Sequence, residues 1–488
     1  MALMLIILLV LLVYSLFFLR SAYSYWQKRG VYTFRPTPPF GNAIDLVLQK
    51  EAIGVNIQKF YQRCRKERIP FAGYYLLTKA IFVPIDVELI KRICTTDFDH
   101  FTDHIGHVDE KNDPLSTYLF NLKGDRWRTV RSLMSPSFSH GNVKRCCETV
   151  LKYAEQLKVL FGGMVGNLEG VNVKEACERY TTDVLISFTY GIEAGFLVDA
   201  NSVFKKYVEL VFGAGWKQSL RLMLNIIFPE MYSLLKLKVF DDDLARFFTD
   251  LVFQRGGGKI DDTRRDVLHN LTHAGSKNDL SMSEIVGQCF GLFLAGTETT
   301  STVIAFTLFA LASDEDAQEK ARSEVVKALG KHQAITYEVL KGLDYTDNCI
   351  SEAMRTFPLA PINTRICSKA YNVPNSSVTL EKGTNVFIPL QGVYMDPQYF
   401  PDPERYNPER FAEGNTENDT SVFSPFGLGK RQCIGYQLGI LQIKAAIAVL
   451  LTNFRFTVHP DSQSPIRLNP ISFIPLPVVP FKLNVHKL

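Results

Sequence analysis

A short loop near the end of the chain has the residue types for metal chemistry. Residues 426–435 read FGLGKRQCIG, and Cys433 lies just before a long apolar stretch that we predict to be helical. A cysteine binds metal as a thiolate, and the N-terminus of a helix favours that negative charge. Gly427 and Gly429 allow a tight turn whose amides can point at the sulfur, and Gly435 lets the backbone approach a flat neighbour.

The residues around Cys433 favour haem over zinc. A lone cysteine without a nearby Cys or His does not supply the roughly four ligands that zinc needs. It fits a metal that brings its own equatorial ligands and needs one axial ligand, which is haem. Phe426 can pack against the sulfur, and Arg431 can pair with a carboxylate of the bound group. The alternative is an ordinary buried thiol.

The loop resembles the haem-thiolate loop of the cytochrome P450 monooxygenases. The family pattern F-x-x-G-x-R-x-C-x-G is matched by Phe426, Gly429, Arg431, Cys433 and Gly435. The resemblance covers essentially the whole chain beyond residue 36. It implies the cytochrome P450 fold, haem b (iron protoporphyrin IX) as cofactor, and Cys433 as the axial ligand of the haem iron. Phe426, Gly427, Arg431 and Gly435 are then expected to contact the haem.

A second motif, AGTETT at residues 295–300, interrupts a long apolar segment with helical periodicity. Gly296 weakens the helix there, and the Thr299 hydroxyl can bond back to the carbonyl of Ala295. The resemblance implies that Ala295 lies against the haem, that Thr299 holds oxygen and water, and that Glu298 relays protons from solvent. The alternative is an ordinary threonine-rich helix.

Three further residues match family contacts to the haem propionates. Trp127 and Arg131 lie four residues apart in WRTVR, and Arg365 lies in PINTRIC. Two buried carboxylates need about two or three cations. The resemblance therefore implies that Trp127, Arg131 and Arg365 bind the haem, whereas we assign no role to Arg126 and Arg128.

A third motif predicts a structural ion network. EAMR places Glu352 and Arg355 three residues apart on one helix face, and YNPERF supplies Arg410. An E-x-x-R pair alone favours a surface ion pair, but its order and spacing relative to PERF and the cysteine loop resemble the family. There the matching residues form a buried network that braces the core, because a buried carboxylate needs full pairing.

The N-terminus predicts a membrane anchor. The side chains from Met1 to Leu19 carry no charge, and Arg20 follows. This uncharged run has about the length of a membrane-spanning helix. A cleaved signal peptide is the alternative, but it has a basic start and a shorter apolar run. We expect a transmembrane signal anchor at 1–20, a basic and proline-rich connector at 21–41, and a single haem domain at 42–488.

Composition and periodicity bound the fold class. The chain has 488 residues, 46% of them hydrophobic, and a net charge of +4, so nothing suggests nucleic-acid binding. Helical patterns dominate, while 74–84 and 377–389 each look like two paired strands with a turn. The fold class is mostly α with a smaller β region. Residues 211–240 fit either buried helices or a surface that dips into a membrane. The predicted helices are 142–165, 171–189, 283–312, 317–329, 337–356 and 435–453.

The resemblance also implies the partners. The chain shows no dinucleotide-binding fingerprint, so electrons are expected from NADPH through a separate NADPH-cytochrome reductase, with cytochrome b5 as a second candidate and O2 as co-substrate. The expected location is the endoplasmic reticulum membrane, with the catalytic domain facing the cytosol. Lys123, Lys144 and Lys430 are docking candidates, although simple solvation is the better interpretation of any single one.

The substrate is expected to be a lipophilic small molecule, because the segments assigned to the pocket are apolar. These are 101–119, 205–228, Ala295, Thr299, Leu359, Pro361, Ile362 and Phe473. The chain looks most like the insect enzymes that metabolise xenobiotics. Two other classes remain open: a haem-thiolate isomerase or dehydratase that needs no reductase, and a non-catalytic haem carrier or membrane scaffold.

Overall fold

The structure is a computed structural model that describes residues 1–213, 220–221, 224–225, 228–256, 266–275, 280–462, 466–470, 472 and 474–488. Its α-helices are numbered here in chain order. They are α1 (Ala2–Tyr23), α2 (Tyr25–Lys28), α3 (Ile44–Val47), α4 (Ile53–Lys66), α5 (Val87–Cys94), α6 (Gly124–Met134), α7 (His140–Gly162), α8 (Val173–Tyr190), α9 (Val203–Phe212), α10 (Pro229–Leu234), α11 (Asp242–Gly256), α12 (Val267–Gly275), α13 (Met282–Ser313), α14 (Glu315–His332), α15 (Tyr337–Lys341), α16 (Asp344–Thr356), α17 (Leu390–Tyr394) and α18 (Tyr436–Asn453). The strands are β1 (Phe71–Leu76), β2 (Lys79–Pro84), β3 (Asn363–Ile366), β4 (Tyr371–Asn372), β5 (Thr379–Leu380), β6 (Asn385–Ile388), β7 (Phe454–Val458) and β8 (Leu483–Lys487).

The predicted fold class, mostly α with a smaller β region, is confirmed. The long predicted helices are present as α7, α8, α13, α14 and α18, with shifts of a few residues at their ends. The prediction of one helix over 337–356 is wrong, because the chain turns at Gly342 and Leu343 between α15 and α16. The periodicity is continuous there, and the glycine is the one local signal for the break.

Helix α13 begins at a side-chain capping box, and the side chain of the residue after its last turn caps the next helix. The Ser281 hydroxyl accepts a hydrogen bond from the Glu284 amide at 3.1 Å, and the Glu284 carboxylate accepts one from the Ser281 amide at 3.0 Å. Beyond its other end, the Asp314 carboxylate accepts from the Ala317 amide at 2.9 Å and starts α14. The helix runs unbroken for 32 residues, as the prediction of one helix over 283–312 requires, so AGTETT interrupts the apolar pattern and not the helix.

One compact unit comprises Met1–Ile105, Ala360–Asp396 and Gly427–Gln432. Its sheet has the strand order β1-β2-β6-β3. Strands β1 and β2 form the antiparallel hairpin predicted over 74–84, with Phe71 opposite Pro84. The pairing predicted within 377–389 is wrong: β5 pairs with β4, whereas β6 pairs with β2 and β3. All four residues of β6 are buried, and this central strand has a hydrogen-bonded neighbour on each edge.

Helix α1 has the properties of a membrane-spanning segment. It is 22 residues long with a mean hydropathy of 3.1, and none of its residues is buried. Among the described helices, α13 is also long and apolar enough, but 72% of its apolar stretch is buried inside the protein. Helix α13 is therefore a core helix, and α1 is the candidate anchor. The boundaries predicted at residues 20 and 41, and the single domain over 42–488, stay predictions.

The other compact unit comprises Gly106–Leu359, Pro397–Phe426 and Cys433–Leu488. In its core, α13 packs against α8, α16 and α18. Helix α18 is buried on nearly every side, and its one buried cation, Lys444, places its Nζ 2.6 Å from Asp347. The helix that follows Cys433 and the helix that carries Thr299 therefore share one core.

Candidate active site

Cys433 lies two residues before Gly435, the N-cap of α18. Its amide donates to the Phe426 carbonyl at 2.8 Å, which closes the loop on itself. The Cys433 side chain reaches open space, yet protein surrounds it closely enough that burial raises the pKa of its thiol. The Gly435 amide and the Arg131 guanidinium lower that pKa in part. A stable thiolate at this position therefore calls for further positive charge, such as a bound metal ion.

The turn before Cys433 depends on glycine. Gly429 has a φ of +71°, and a Cβ atom there would lie 2.0 Å from the Cys94 carbonyl oxygen. Gly427 also has a positive φ, of +79°. The tight turn predicted from the two glycines is present, and Gly429 is the position where a side chain has no room.

Arg431, two residues before the cysteine, is buried. Its Nε donates to the Thr102 carbonyl at 2.8 Å, and its Nη2 lies 3.6 Å from the Asp103 carboxylate. The guanidinium that we expected to pair with a bound carboxylate is thus held in place by the chain itself. The Asp103 carboxylate neutralises the charge of this guanidinium only in part, because the distance between them is too long for a strong hydrogen bond.

Arg365 is fully buried on β3, and no carboxylate of the described residues pairs with it. Its Nη1 donates to Asn363 Oδ1 at 2.7 Å and to the Thr364 carbonyl at 2.8 Å. Its Nε and Nη2 are buried without a hydrogen-bond partner among the described residues, and burial lowers the pKa of the guanidinium. A buried arginine with two unused donors is suited to bind an anion, and a pair of donors fits a carboxylate.

His104 is a further buried group at Arg365 that the sequence analysis did not single out. Its Nδ1 lies 2.7 Å from the Thr364 carbonyl and 3.0 Å from Arg365 Nη1. Burial and the charges of Arg365 and Arg431 lower its pKa well below the usual value, so the imidazole is neutral at physiological pH. The two histidines of DHIGH, His104 and His107, match no motif, so the sequence gives no signal for this position.

Helix α6 carries both Trp127 and Arg131. Trp127 is buried, and Arg131 is partly buried, which lowers the pKa of its guanidinium. The charge of Cys433 raises the pKa of Arg131, which shows that the two side chains are near each other. The spacing of four residues therefore places both side chains on one face of α6, as expected.

The middle of α13 has one open face. Ala295 is exposed and Thr299 is partly exposed, although the residues on either side along the helix are largely buried. The Thr299 hydroxyl donates to the Ala295 carbonyl at 2.6 Å, the contact expected from the sequence. Gly296 is needed for helix packing, because a Cβ there would lie 2.7 Å from the Leu185 side chain of α8.

Glu298 points away from this open face and towards α8. It is buried, and its Oε2 accepts a hydrogen bond from Lys174 Nζ at 2.9 Å. Lys174 also donates to Glu178 at 2.7 Å. The expected relay of protons from solvent through Glu298 stays a prediction. Any such relay has to work with Glu298 paired to Lys174. Lys174 and Glu178 lie 124 and 120 residues before Glu298. Their own i,i+4 spacing predicts an ion pair with each other and does not indicate that Glu298 is a third member.

Glu352, Arg355 and Arg410 come together in the core. Arg355 contacts both oxygens of Glu352, at 2.7 and 2.9 Å, and Arg410 Nε contacts Glu352 Oε1 at 3.2 Å. The Asn407 amide adds a fourth donor at 2.9 Å. Each arginine also donates to a backbone carbonyl, Arg355 to Pro403 and Arg410 to Asp402. The carboxylate and both guanidinium groups are thus paired, which is what burial of these charges requires.

The family model that matches this chain is that of the cytochromes P450, over residues 33–485. The match includes the cysteine loop, the AGTETT segment and the buried ion network. The chain belongs to the cytochrome P450 family. Members of this family are monooxygenases, and the family implies haem bound through a cysteine thiolate.

The curated relatives of this cytochrome P450 include insect proteins. It is 31% identical over 485 residues to probable cytochrome P450 6a23 of Drosophila melanogaster, with 96% of this chain and 95% of that protein covered. It is 31% identical over 478 residues to cytochrome P450 6j1 of Blattella germanica, at 96% and 95% coverage. Cytochrome P450 6d3 of Musca domestica is 30% identical over 503 residues, at 96% of each chain.

Some predicted pocket residues of this cytochrome P450 lie outside the described residues. These are Phe473 and, within 205–228, residues 214–219, 222–223 and 226–227. Beside them, the described part of 211–240 exposes apolar side chains, among them Leu220, Leu234 and Leu235. The same part of the segment also buries apolar side chains, among them Tyr232 and Phe240, so the interpretations as buried helices and as a membrane-contacting surface both stay predictions.

Proposed function

We propose that this cytochrome P450 is a membrane-anchored monooxygenase that inserts one oxygen atom from O2 into a lipophilic small molecule. Electrons come from NADPH through a separate flavoprotein reductase. The observation that carries the proposal is Cys433, a thiol that reaches open space at the end of a closed loop and next to Arg131. A thiol in this setting is suited to bind a metal as a thiolate.

The residues present fit haem. Arg365 has two buried donors without a partner among the described residues, and the propionates of haem are carboxylates that can accept them. Cys433 would bind the iron, while Arg365, Arg431, Arg131 and Trp127 would hold the propionates. Phe426, Gly427, Gly435 and Ala295 would contact the ring. When bound, haem supplies the oxygen-activating chemistry, and the thiolate favours cleavage of the O–O bond.

The protein supplies position and protons. The Thr299 hydroxyl lies on the open face of α13, where it can exchange the Ala295 carbonyl for water or dioxygen. Glu298 is the nearest carboxyl group in sequence and can carry a proton towards that hydroxyl. The buried network of Glu352, Arg355 and Arg410 fixes the core from which α18 and the cysteine loop extend.

The membrane location is part of the proposal. Helix α1 would anchor the protein in the endoplasmic reticulum membrane with the catalytic part facing the cytosol. Exposed lysines such as Lys123 and Lys430 are docking candidates for the reductase or for cytochrome b5. The apolar composition of the pocket segments supports a lipophilic small molecule as substrate, either a xenobiotic or an endogenous lipid or hormone-like compound.

The test is incorporation of labelled oxygen. A panel of lipophilic compounds is first screened by binding difference spectra, and compounds that bind are incubated with the enzyme, NADPH, a flavoprotein reductase and 18O2. We expect one labelled oxygen atom in the product, and none without reductase. Turnover that continues without NADPH and without label from O2 would contradict the proposal and identify an isomerase.

A further inference from the structure

An ion pair joins the first turn of α6 to the first turn of α13. Arg126 Nε donates to Glu284 Oε1 at 2.6 Å, and Arg126 Nη2 donates to Glu284 Oε2. The Glu284 side chain is 8% exposed and that of Arg126 is 36% exposed. The contact is therefore bidentate, and its carboxylate is largely shielded from water. A pair of parallel hydrogen bonds of this kind fixes the direction as well as the distance between two groups.

Glu284 is held in place by contacts other than Arg126. Its carboxylate accepts a hydrogen bond from the Ser281 amide at 3.0 Å, and its own amide donates to the Ser281 hydroxyl at 3.1 Å. The Ser281 hydroxyl in turn donates to Glu110 Oε1 at 2.6 Å. Burial raises the pKa of Glu284, but the hydrogen bonds from Arg126 and Ser281 outweigh burial and bring the pKa below its usual value. Glu284 is thus a charged carboxylate with a fixed position at the start of α13.

The position of Arg126 is not explained by the needs of its own helix. Arg126 is the third residue of α6, where the helix dipole favours a negative side chain over a positive one. Among the described residues, the N-cap Lys123 makes no capping hydrogen bond with its side chain. The contact with Glu284 is therefore what makes a cation favourable at this position. It also ties down a first turn that the N-cap side chain does not fix.

The residue that follows Arg126 is Trp127, one of the side chains that we assign to the haem propionates. Trp127 is buried, and its indole offers one N–H donor on a rigid ring. A hydrogen bond from such a group requires its helix to keep its position to within about 0.5 Å. Helix α6 packs against α12 and against the turn at Ser135–Phe138, and the contact of Arg126 adds a tie to α13.

We propose that Arg126 and Glu284 are positioning residues that hold Trp127 where its indole can donate to a haem propionate. The proposal rests on the proposed function, which assigns the propionate contact to Trp127. The role of both residues is indirect. Arg126 acts through the backbone that it shares with Trp127, and Glu284 acts through Arg126.

The first experiment measures haem transfer from the full-length, haem-loaded enzyme to apomyoglobin. Arg126→Gln and Glu284→Gln each remove the ion pair, while a glutamine at the third helical position can still complete the capping box of α13. We expect transfer to be about two- to fivefold faster in each variant, the range that a partly exposed ion pair can contribute. The double variant should be no faster than either single variant, because both changes remove the same contact.

Three further variants separate positioning from a general loss of stability. Arg128→Gln changes an exposed cation on the same helix and should leave the transfer rate unchanged. Ser281→Ala weakens the cap of α13 but leaves Arg126 and Glu284 paired, so it should lower the urea midpoint without faster haem transfer. Arg126→Lys keeps the charge without the planar pair of donors, so its transfer rate should lie between those of wild type and Arg126→Gln.

A second readout reports on the propionates themselves. Resonance Raman spectra of the haem-loaded enzyme contain the propionate bending bands, and Trp127→Phe defines the shift that loss of the indole donor causes. Arg126→Gln and Glu284→Gln should shift these bands in the same direction, and Arg126→Gln should shift them no further in the Trp127→Phe background. Unmoved bands and unchanged transfer rates in both variants would overturn the positioning role. Should Glu284→Gln fail to fold, Arg126→Gln decides alone.

Two other results would show a failure of the proposed function instead. A wild-type protein whose reduced carbon monoxide complex lacks the red-shifted Soret band of thiolate-bound haem contradicts the proposed function itself. Propionate bands that stay unmoved in Trp127→Phe contradict the haem contact of Trp127, and the positioning role of Arg126 and Glu284 falls with it.

Discussion

The ion network around Glu352 gives a prediction whose magnitude follows from burial. The chain contains a second E-x-x-R pair, Glu319 and Arg322, with bidentate contacts at 2.8 and 2.5 Å. Arg355 and Glu352 have the same spacing and nearly the same geometry, but both side chains are 0% exposed, whereas Arg322 and Glu319 are 31% and 55% exposed. The substitutions Arg355→Met and Arg322→Met therefore differ mainly in solvent access.

The magnitude for Arg355→Met comes from the contacts that remain. Glu352 loses contacts at 2.7 and 2.9 Å and keeps Arg410 at 3.2 Å and the Asn407 amide at 2.9 Å. Breaking a buried ion pair costs about 3–5 kcal/mol, a large part of the roughly 5–15 kcal/mol that stabilises a folded domain. The exposed pair contributes about 0–1 kcal/mol, because water screens it.

The assay is urea unfolding of the haem-loaded proteins, followed by tryptophan fluorescence. Arg355→Met should have a much lower midpoint than wild type or should fail to accumulate folded, while Arg322→Met should unfold close to wild type. Arg410→Met should lie between them, because it removes one contact to Glu352 rather than two. Losses of less than about 1 kcal/mol in both Arg355→Met and Arg322→Met would refute the reasoning from burial.

Three further predictions concern other parts of the molecule. Arg365→Leu removes the buried guanidinium whose two donors find no partner in the described part of the chain, so haem transfer to apomyoglobin should be roughly tenfold faster; an unchanged rate would contradict a propionate contact. Gly429→Ala places a Cβ atom 2.0 Å from the Cys94 carbonyl oxygen, so purified protein should hold less haem, while Gly330→Ala, with open space around it, should be as stable as wild type or more so. Burial raises the pKa of Asp113 to about 6, above its unfolded value, so the wild type should lose stability relative to Asp113→Asn as pH rises from 4 to 7; a urea-midpoint difference that does not change with pH would contradict this.

The parts of the site that the sequence predicts are those whose contacts are local. The Thr299 bond to the Ala295 carbonyl spans one helical turn, and the E-x-x-R contact spans three residues, so helix periodicity is enough to place them. The turn before Cys433 follows from glycine chemistry in the same way. The contact between Arg410 and Glu352 is expected only from the family resemblance, because nothing local links two residues that lie 58 positions apart.

The parts that the sequence does not predict depend on distant partners. Lys174 lies 124 positions from Glu298, so the orientation of that carboxylate is fixed by helix packing rather than by the AGTETT motif. The run 377–389 has the alternation of two paired strands, but each strand has partners elsewhere in the chain, β4 for one and β2 and β3 for the other. Alternation predicts that a segment is a strand and does not predict its neighbour.

The absorption spectrum of the reduced protein under carbon monoxide tests most directly whether Cys433 binds the haem iron. We predict a strongly red-shifted Soret band in the wild type and its loss in Cys433→Ser, with Cys146→Ser unchanged as a thiol control. A wild-type band at the position typical of histidine-bound haem, or a red-shifted band that survives in Cys433→Ser, would contradict the account.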